Sequence, residues 1–185
     1  MSKVFETKLQ TADLSDWKLS GRVLDIGGGG EGIISRVVGD AIVAIDKRRD
    51  ELEETADIGL KIVMDACDLQ FLDNSFDHVT CFYALMYMDM TEVEKALREA
   101  RRVLKEGGSL WIWDTEIPNL FDCDIFIAQI EVILEGGTNV RTGYGISRTA
   151  PRTAEDYIAA CEANGFTIEK FAKYDGYFAL TVGAK

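Results

Sequence analysis

The chain has 185 residues, of which 47% are hydrophobic, so it can bury one sizeable core and is expected to form a single domain over residues 1–185. With 20 basic and 32 acidic residues, its formal net charge is −12, which disfavours binding to nucleic acid or to an anionic membrane surface. The four cysteines are widely spaced, with no CxxC pair, which predicts reduced thiols in a cytoplasmic protein and no metal site. The longest apolar run, residues 79–88, is too short to span a bilayer.

Apolar runs of strand length alternate with segments of helical period after an N-terminal segment, residues 1–20. Because the runs are almost continuously apolar, helices are expected on both faces of the sheet, which predicts an α/β fold with a doubly wound, mostly parallel sheet. A helix is predicted over residues 91–106, where Thr91 and Glu94 have the spacing of a capping box. The five predicted strands are residues 22–26, 41–45, 60–64, 77–83 and 109–113.

The last third of the chain departs from this alternation. Many β-branched and aromatic residues predict a β-hairpin inserted after the fifth strand, over residues 124–134 and 139–148. A helix over 153–164 and two strands, 166–174 and 177–182, complete the pattern. The sheet is therefore expected to end in an antiparallel strand pair.

The densest chemical signal is Val23-Leu-Asp-Ile-Gly-Gly-Gly-Gly-Glu-Gly32, a strand that runs into glycines and then into a short helix over 33–38. Glycines allow a tight turn and a close approach of the backbone to a ligand, and the start of a helix offers unpaired N–H donors. Asp25 precedes the glycines, and a carboxylate there suits a sulfonium or ammonium group better than a pyrophosphate. The alternative is an aspartate that caps the turn or the helix.

Two further acids stand at the ends of the next two predicted strands. Asp46 follows Gly27 by 19 residues, where a carboxylate can accept hydrogen bonds from both ribose hydroxyls, a spacing that suits NAD equally well. Asp65 is placed to accept from an exocyclic adenine amine or, alternatively, to cap a loop. Since ligands of open α/β sheets bind outside the carboxyl ends of the strands, three successive acids there point to a nucleoside ligand.

In these motifs the chain resembles the class I S-adenosylmethionine-dependent methyltransferases, particularly the small family that includes ubiquinone-biosynthesis-type enzymes. The resemblance covers about residues 21–114 and implies a Rossmann-like fold, S-adenosylmethionine as the cofactor and S-adenosylhomocysteine as the product. The family often has glycine where this chain has Glu31, with Gly32 one place later, which implies a longer loop. The motifs are Val-Leu-Asp-Ile-Gly-Gly-Gly at 23–29, Ala-Ile-Asp at 44–46, Met-Asp-Ala at 64–66, Phe-Leu-Asp-Asn-Ser-Phe-Asp at 71–77 and Glu-Ala-Arg-Arg-Val-Leu-Lys-Glu-Gly-Gly at 99–108.

The resemblance also implies which residues bind the cofactor. Asp46 corresponds to the residue that holds the ribose, and Asp65, with the backbone of Ala66, to those that hold the adenine. The cofactor set also includes Lys47 and Phe82. The amino-acid end of the cofactor is assigned to Asp25, Gly27, Gly28 and Gly29.

Methyl transfer from a sulfonium needs an in-line nucleophile, desolvation and at most one base, so positioning can supply much of the barrier reduction. The candidate catalytic residues lie at the carboxyl ends of the fourth and fifth strands. The candidates are Tyr83, Asp114 and Glu116, with Tyr87 and Tyr144 as further possibilities. For two of them there is an alternative role: Tyr83 would cover the cofactor, and Asp114 would cap a turn.

Residues 116–148 are too long and too apolar for a plain connector, so we expect this hairpin segment to cover the methyl group. Tyr144 and Phe126 would form apolar walls, with Glu116 as a proton acceptor. The alternatives are a hairpin that extends the sheet and one that pairs two subunits.

A small-molecule acceptor is favoured by the negative charge and by Phe82-Tyr-Ala-Leu85, which differs from the Asn/Asp-Pro-Pro-aromatic motif of exocyclic-amine nucleic-acid methyltransferases. The chain is expected to be a monomer or a homodimer. One alternative function is a non-catalytic S-adenosylmethionine-binding module or partner subunit. Another is an NAD-dependent oxidoreductase, which does not account for Asp25 or for residues 71–77.

Overall fold

A computed structural model describes residues 2–119, 123–147 and 150–184. In these ranges the strands are β1 (Val4–Glu6), β2 (Gln10–Asp13), β3 (Val23–Ile26), β4 (Ile42–Asp46), β5 (Leu60–Val63), β6 (Phe76–Phe82), β7 (Leu104–Thr115), β8 (Ile125–Ile133), β9 (Asn139–Ser147), β10 (Phe166–Lys173) and β11 (Tyr177–Ala184). The helices are α1 (Ile33–Val38), α2 (Arg49–Glu54), α3 (Met90–Val103) and α4 (Ala154–Ala163).

The larger sheet has seven strands in the order β10-β11-β7-β6-β3-β4-β5. The strands from β7 to β5 pair in parallel, whereas β11 and β10 are antiparallel, which confirms the predicted sheet and its antiparallel end. Strand β3 lies between β4 and β6, so the chain reverses its direction across the sheet at β3. The crevice at such a reversal is where ligands of this fold class bind.

The smaller sheet is built around β8. Strands β1 and β2 pair in parallel with successive parts of one edge of β8, and β9 pairs antiparallel with the other edge. The predicted hairpin is therefore confirmed, and it extends a sheet to which the N-terminal segment also contributes. Strands β1 and β2 have three and four residues, which is too short for a periodic pattern to reveal them.

The sheets pack into two hydrophobic clusters. Helices α3 and α4 cover one face of the larger sheet, while α1 and the smaller sheet cover the other. Side chains of β8 alternate between buried and partly exposed positions, so its buried residues line the second cluster. Trp17 contacts Trp111 and Trp113 edge-on, with ring centroids 5.5 and 5.0 Å apart, and so joins the N-terminal segment to β7.

Helix α3 departs from the sequence analysis at both ends, and at its C-terminal end it stops at Val103, so that residues 104–106 belong to β7 rather than to the helix. Its N-cap is Asp89, whose side chain accepts from the Glu92 backbone N–H at 2.8 Å, while the Glu92 side chain accepts from the Asp89 N–H at 2.9 Å. The capping box predicted at Thr91 and Glu94 is therefore wrong by two residues, because Asp89 provides an equivalent box one half-turn earlier. Among the described residues, no helix is both long and apolar enough to cross a membrane.

Candidate active site

The glycine loop after β3 is packed so closely that side chains would not fit. The backbone N–H groups of Gly27 and Gly28 both donate to the Ile45 carbonyl, at 2.9 and 3.0 Å, which holds the loop against β4. Gly27 has a φ of +73°, and a Cβ there would lie 2.5 Å from the Ala84 Cβ. A Cβ at Gly28 would lie 2.7 Å from Asp25 Oδ2. Glycine is therefore required here by conformation and by space together.

Asp25 lies beneath this loop rather than in the cavity above it. Its side chain is 2% exposed, and Thr80 Oγ1 donates to Asp25 Oδ1 at 2.7 Å. Burial raises the pKa of the Asp25 carboxyl to about 7, against the effect of the Thr80 hydrogen bond, and the nearby charge of Asp46 adds to the rise. A cationic ligand on the loop would favour the ionised form.

Two acids, Asp46 as the last residue of β4 and Asp65 two residues after β5, each use one oxygen to cap a turn. Asp46 Oδ1 accepts from the Arg48 backbone N–H at 2.8 Å, and Asp65 Oδ1 accepts from the Cys67 N–H at 2.9 Å. Lys47 Nζ lies 3.8 Å from Asp65 Oδ2. Loop capping and ligand binding are therefore compatible, because each carboxylate has a second oxygen.

A cavity of about 320 Å³ lies where β3, β4, β5 and β6 end. Its walls combine carboxylates at strand ends, a side-chain-free loop and apolar surface. This combination fits a nucleoside that carries a cationic amino-acid tail, so the residues present fit S-adenosylmethionine. Asp25 and Gly28 lie outside the lining. The predicted cofactor residues that line it are Gly27, Gly29, Asp46, Lys47, Asp65, Ala66 and Phe82.

Tyr83, a predicted catalytic residue, also lines this cavity. It has a φ of +49°, which is uncommon for a residue other than glycine, and its hydroxyl donates to Gln10 Oε1 at 3.0 Å. Its ring stacks on that of Tyr144 from β9, with centroids 5.4 Å apart. The hairpin therefore reaches the cavity through Tyr144, which also lines it.

Asp114 and Glu116, the other predicted catalytic residues, are not part of the cavity lining. Asp114 is fully buried, accepts from the Met86 N–H at 3.1 Å, and has a pKa raised to about 7 by that burial. Glu116 Oε1 lies 2.9 Å from Lys173 Nζ and accepts from the Ala154 N–H, at the start of α4, at 3.0 Å. These contacts give Glu116 a structural role.

Glu31 was not assigned to the site from the sequence, although it marks the departure from the family's glycine pattern. Its carboxylate lines the cavity and accepts from the hydroxyls of Thr142 and Tyr144, the latter at 3.2 Å. Burial holds the pKa of the Tyr144 hydroxyl well above its ordinary value. Glu31 thus connects the glycine loop to the hairpin.

The chain is similar to known methyltransferases in sequence and fold. Residues 24–112 match the model of a family described as a methyltransferase domain. The ubiquinone/menaquinone biosynthesis C-methyltransferase UbiE of Vibrio cholerae is 34% identical over 124 residues, which are 60% of this chain and 47% of that protein. The chain thus spans about half the length of the curated relatives it matches.

Solved structures share the fold at low sequence identity. A protein of Pyrococcus horikoshii, PH0226, superposes with a TM-score of 0.65 at 20% identity, over 90% of this chain and 83% of that one. An S-adenosylmethionine-dependent methyltransferase of Mesorhizobium loti gives 0.63 at 16% identity, over 88% and 90% of the two chains. Residues 24–112 thus match a methyltransferase domain in sequence, and the solved structures share the fold of this chain.

Proposed function

We propose that the chain transfers the methyl group of S-adenosylmethionine to a small-molecule acceptor that binds beneath the hairpin of β8 and β9. The observation that carries the proposal is a single cavity in which the acids of β4 and β5 meet the hairpin residue Tyr144. When bound, S-adenosylmethionine supplies an electrophilic methyl group on a sulfonium.

The chain's own residues would bind and shield the reactants. Asp46 would accept from the ribose hydroxyls through its second oxygen, and Asp65 from the adenine amine. The stacked rings of Tyr83 and Tyr144 form an apolar wall that would exclude water from the reacting atoms. Such positioning and desolvation need no dedicated base.

A quinol is the first acceptor to test. The curated relatives are named as C-methyltransferases of ubiquinone and menaquinone biosynthesis, and the tyrosines at the cavity offer flat apolar surfaces to a planar ring. The acceptor is a proposal for this chain, because it matches those relatives over about half their length.

The experiment has two stages. Calorimetry first measures the binding of S-adenosylmethionine and, to test the oxidoreductase alternative, the binding of NADH. We expect S-adenosylmethionine to bind and NADH not to bind. The protein is then incubated with isotopically methyl-labelled S-adenosylmethionine and reduced 1,4-naphthoquinone, and products are identified by mass spectrometry.

We expect labelled methylnaphthoquinol as the product. Its yield should fall strongly in Tyr144→Ala and stay unchanged in Tyr174→Ala, which alters a half-exposed tyrosine outside the cavity. If S-adenosylmethionine binds but neither this quinol nor a panel of small amines, phenols and carboxylic acids is methylated, the non-catalytic binding module becomes the better description.

A further inference from the structure

A second cavity of about 440 Å³ adjoins the first. The two share Tyr87, Met88, Glu92 and Gly145, so a molecule in the second cavity can extend toward the first. The rest of its lining is mixed: Met86 and Ile146 are apolar, Asp89 and Ser147 are polar, and Arg152 supplies a guanidinium.

Arg152 is buried but incompletely paired. Its side chain is 4% exposed, and Nη1 donates to the Leu85 carbonyl at 3.2 Å and contacts the Tyr157 hydroxyl at 3.5 Å. Within the described part of the chain, Nε and Nη2 have no hydrogen-bond partner, and no carboxylate lies within 4 Å of the guanidinium. Arg152 is also one of the residues that line the second cavity.

The surrounding charges do not neutralise Arg152 directly. Asp114, on β7, accepts from backbone N–H groups rather than from Arg152, and burial raises the pKa of its carboxyl to about 7 although the charge of Arg152 opposes the rise. Asp89, the N-cap of α3, and Glu92 also line the cavity, and each uses one carboxylate oxygen to accept from the other's backbone N–H in the capping box. A buried cation without an ion-pair partner is costly, which favours a ligand that supplies the missing anion.

We propose that the second cavity is the acceptor subsite and that Arg152 binds an anionic oxygen of the acceptor, either a carboxylate or an ionised phenol. The planar guanidinium can present Nε and Nη2 side by side, the arrangement that matches two oxygens of a carboxylate. The apolar part of the acceptor would lie against Met86 and Ile146 and reach the first cavity past Tyr87. This inference rests on the proposed function, because it assigns the acceptor of the same reaction.

The test uses protein saturated with S-adenosylhomocysteine, so that the cofactor cavity is filled. Calorimetry then measures the affinity of benzoate, 4-nitrophenolate and the neutral isostere benzamide. We expect at least one anion to bind about tenfold or more tightly than benzamide, as a charge-assisted pair requires. Benzoate and 4-nitrophenolate separate a carboxylate acceptor from a phenolate acceptor.

Two variants locate the effect. Arg152→Gln removes the charge while keeping a donor for the Leu85 carbonyl, and Ser147→Glu adds a carboxylate to the same cavity at an exposed position. Both should lower the affinity for the bound anion about tenfold and leave S-adenosylhomocysteine and benzamide binding unchanged. Arg98→Gln, at an exposed arginine outside the cavity, is the matched control and should leave the affinities for the anion, S-adenosylhomocysteine and benzamide unchanged.

The two proposals fail in different ways. If wild-type protein does not bind S-adenosylhomocysteine, the proposed function fails and this inference with it. If S-adenosylhomocysteine binds but both anions bind no better than benzamide, or if their affinity is the same in folded Ser147→Glu and Arg152→Gln, the anion subsite alone is overturned. Because Ser147 is exposed, the glutamate variant keeps the test decisive should Arg152→Gln not fold.

Discussion

At the residue scale, each acid at a strand end caps a turn with one oxygen and has a second oxygen, and Asp46 is the clearest example because the second oxygen of Asp65 lies 3.8 Å from Lys47 Nζ. Asp46 Oδ1 caps the turn at Arg48, while its other oxygen faces the glycine loop at the cavity. An aspartate that only capped the turn would not need to line a cavity. The two roles predict different consequences when the side chain is removed.

Asp46→Ala should lower the affinity for S-adenosylmethionine at least tenfold, because the ribose hydroxyls lose a charged acceptor worth roughly 1.5–3 kcal/mol. Calorimetry measures the affinity, and circular dichroism verifies the fold. Asp57→Ala, which removes an exposed carboxylate outside the cavity, serves as the control and should bind normally. Unchanged affinity in folded Asp46→Ala would contradict the ribose assignment.

Asp25 should make cofactor binding depend on pH. In the folded state the pKa of Asp25 is about 7, above the ordinary 3.8. Between about pH 4 and pH 7 the folded state therefore holds a proton that the unfolded state releases. Without ligand, the contribution of Asp25 to the free energy of unfolding decreases as the pH rises through this range. Cationic S-adenosylmethionine favours the ionised form. Its affinity should therefore rise between pH 5.5 and 7.5, by up to about tenfold per pH unit.

Calorimetry across this pH range, in buffers of different ionisation enthalpy, measures both the affinity and the proton release. Asp25→Asn retains an acceptor for the Thr80 hydroxyl but cannot titrate, so its affinity should vary much less with pH. An equally steep pH dependence in this variant would show that another group is responsible.

At the scale of elements, the predictions succeeded where a pattern is local. The strand that becomes β3, the helix that becomes α1 and the hairpin of β8 and β9 each follow from periodicity and turn residues within one segment. Strands β1 and β2 were missed because their stability comes from pairing with β8, more than a hundred residues away.

The site shows the same division between local and long-range information. The cofactor residues belong to motifs at strand ends, so their convergence could be predicted from the parallel sheet. Other contacts depend on partners distant in sequence, about which a motif carries no information. Examples are the contacts of Glu116 with Ala154 and Lys173 and the contact of Glu31 with Thr142. Only the break in the glycine pattern singled out Glu31.

Because Glu31 ties β9 to the glycine loop, Glu31→Ala should loosen the hairpin. Losing hydrogen bonds to a carboxylate removes about 1.5 kcal/mol from local stability, so the amides of residues 142–145 should exchange with deuterium roughly tenfold faster. Hydrogen–deuterium exchange with mass spectrometry measures this. Glu131→Ala breaks the Glu131–Arg141 pair within the same hairpin and is the control.

The position of β8 decides how this element can be tested. Because β8 is the central strand of its sheet and its inward residues are buried, replacing the hairpin with a flexible linker would expose β1, β2 and the core beneath them. Single substitutions such as Glu31→Ala therefore separate function from folding better than deletion does. Equal exchange in Glu31→Ala and wild type would show that the contact with Glu31 does not hold the hairpin.

At the scale of the whole molecule, the question is whether the two sheets act as one domain. They share the second hydrophobic cluster, in which β8 residues pack with Phe82, Tyr83 and Trp113 of the larger sheet. Trp17 adds an edge-on contact to Trp111 and Trp113, while its own Nε1 is buried without a partner among the described residues. A shared core of this kind is expected to couple the unfolding of both sheets.

We therefore predict that the chain unfolds in one cooperative transition and that Trp17→Ala lowers its stability while keeping the transition single. Trp17→Ala should lower the free energy of unfolding by about 3 kcal/mol, the low end for a tryptophan truncation, because Trp17 is partly exposed. Trp17→Phe should lower it much less, since it keeps an aromatic ring and removes the unpaired N–H. Urea unfolding followed by far-ultraviolet circular dichroism and by tyrosine and tryptophan fluorescence measures both variants. Coincident curves from the two probes are expected, because loosening one sheet exposes the apolar face of the other. Two separated transitions, with Trp17→Ala shifting one of them alone, would mean that the smaller sheet folds as a separate unit and that the hairpin is not rigidly part of the cofactor domain.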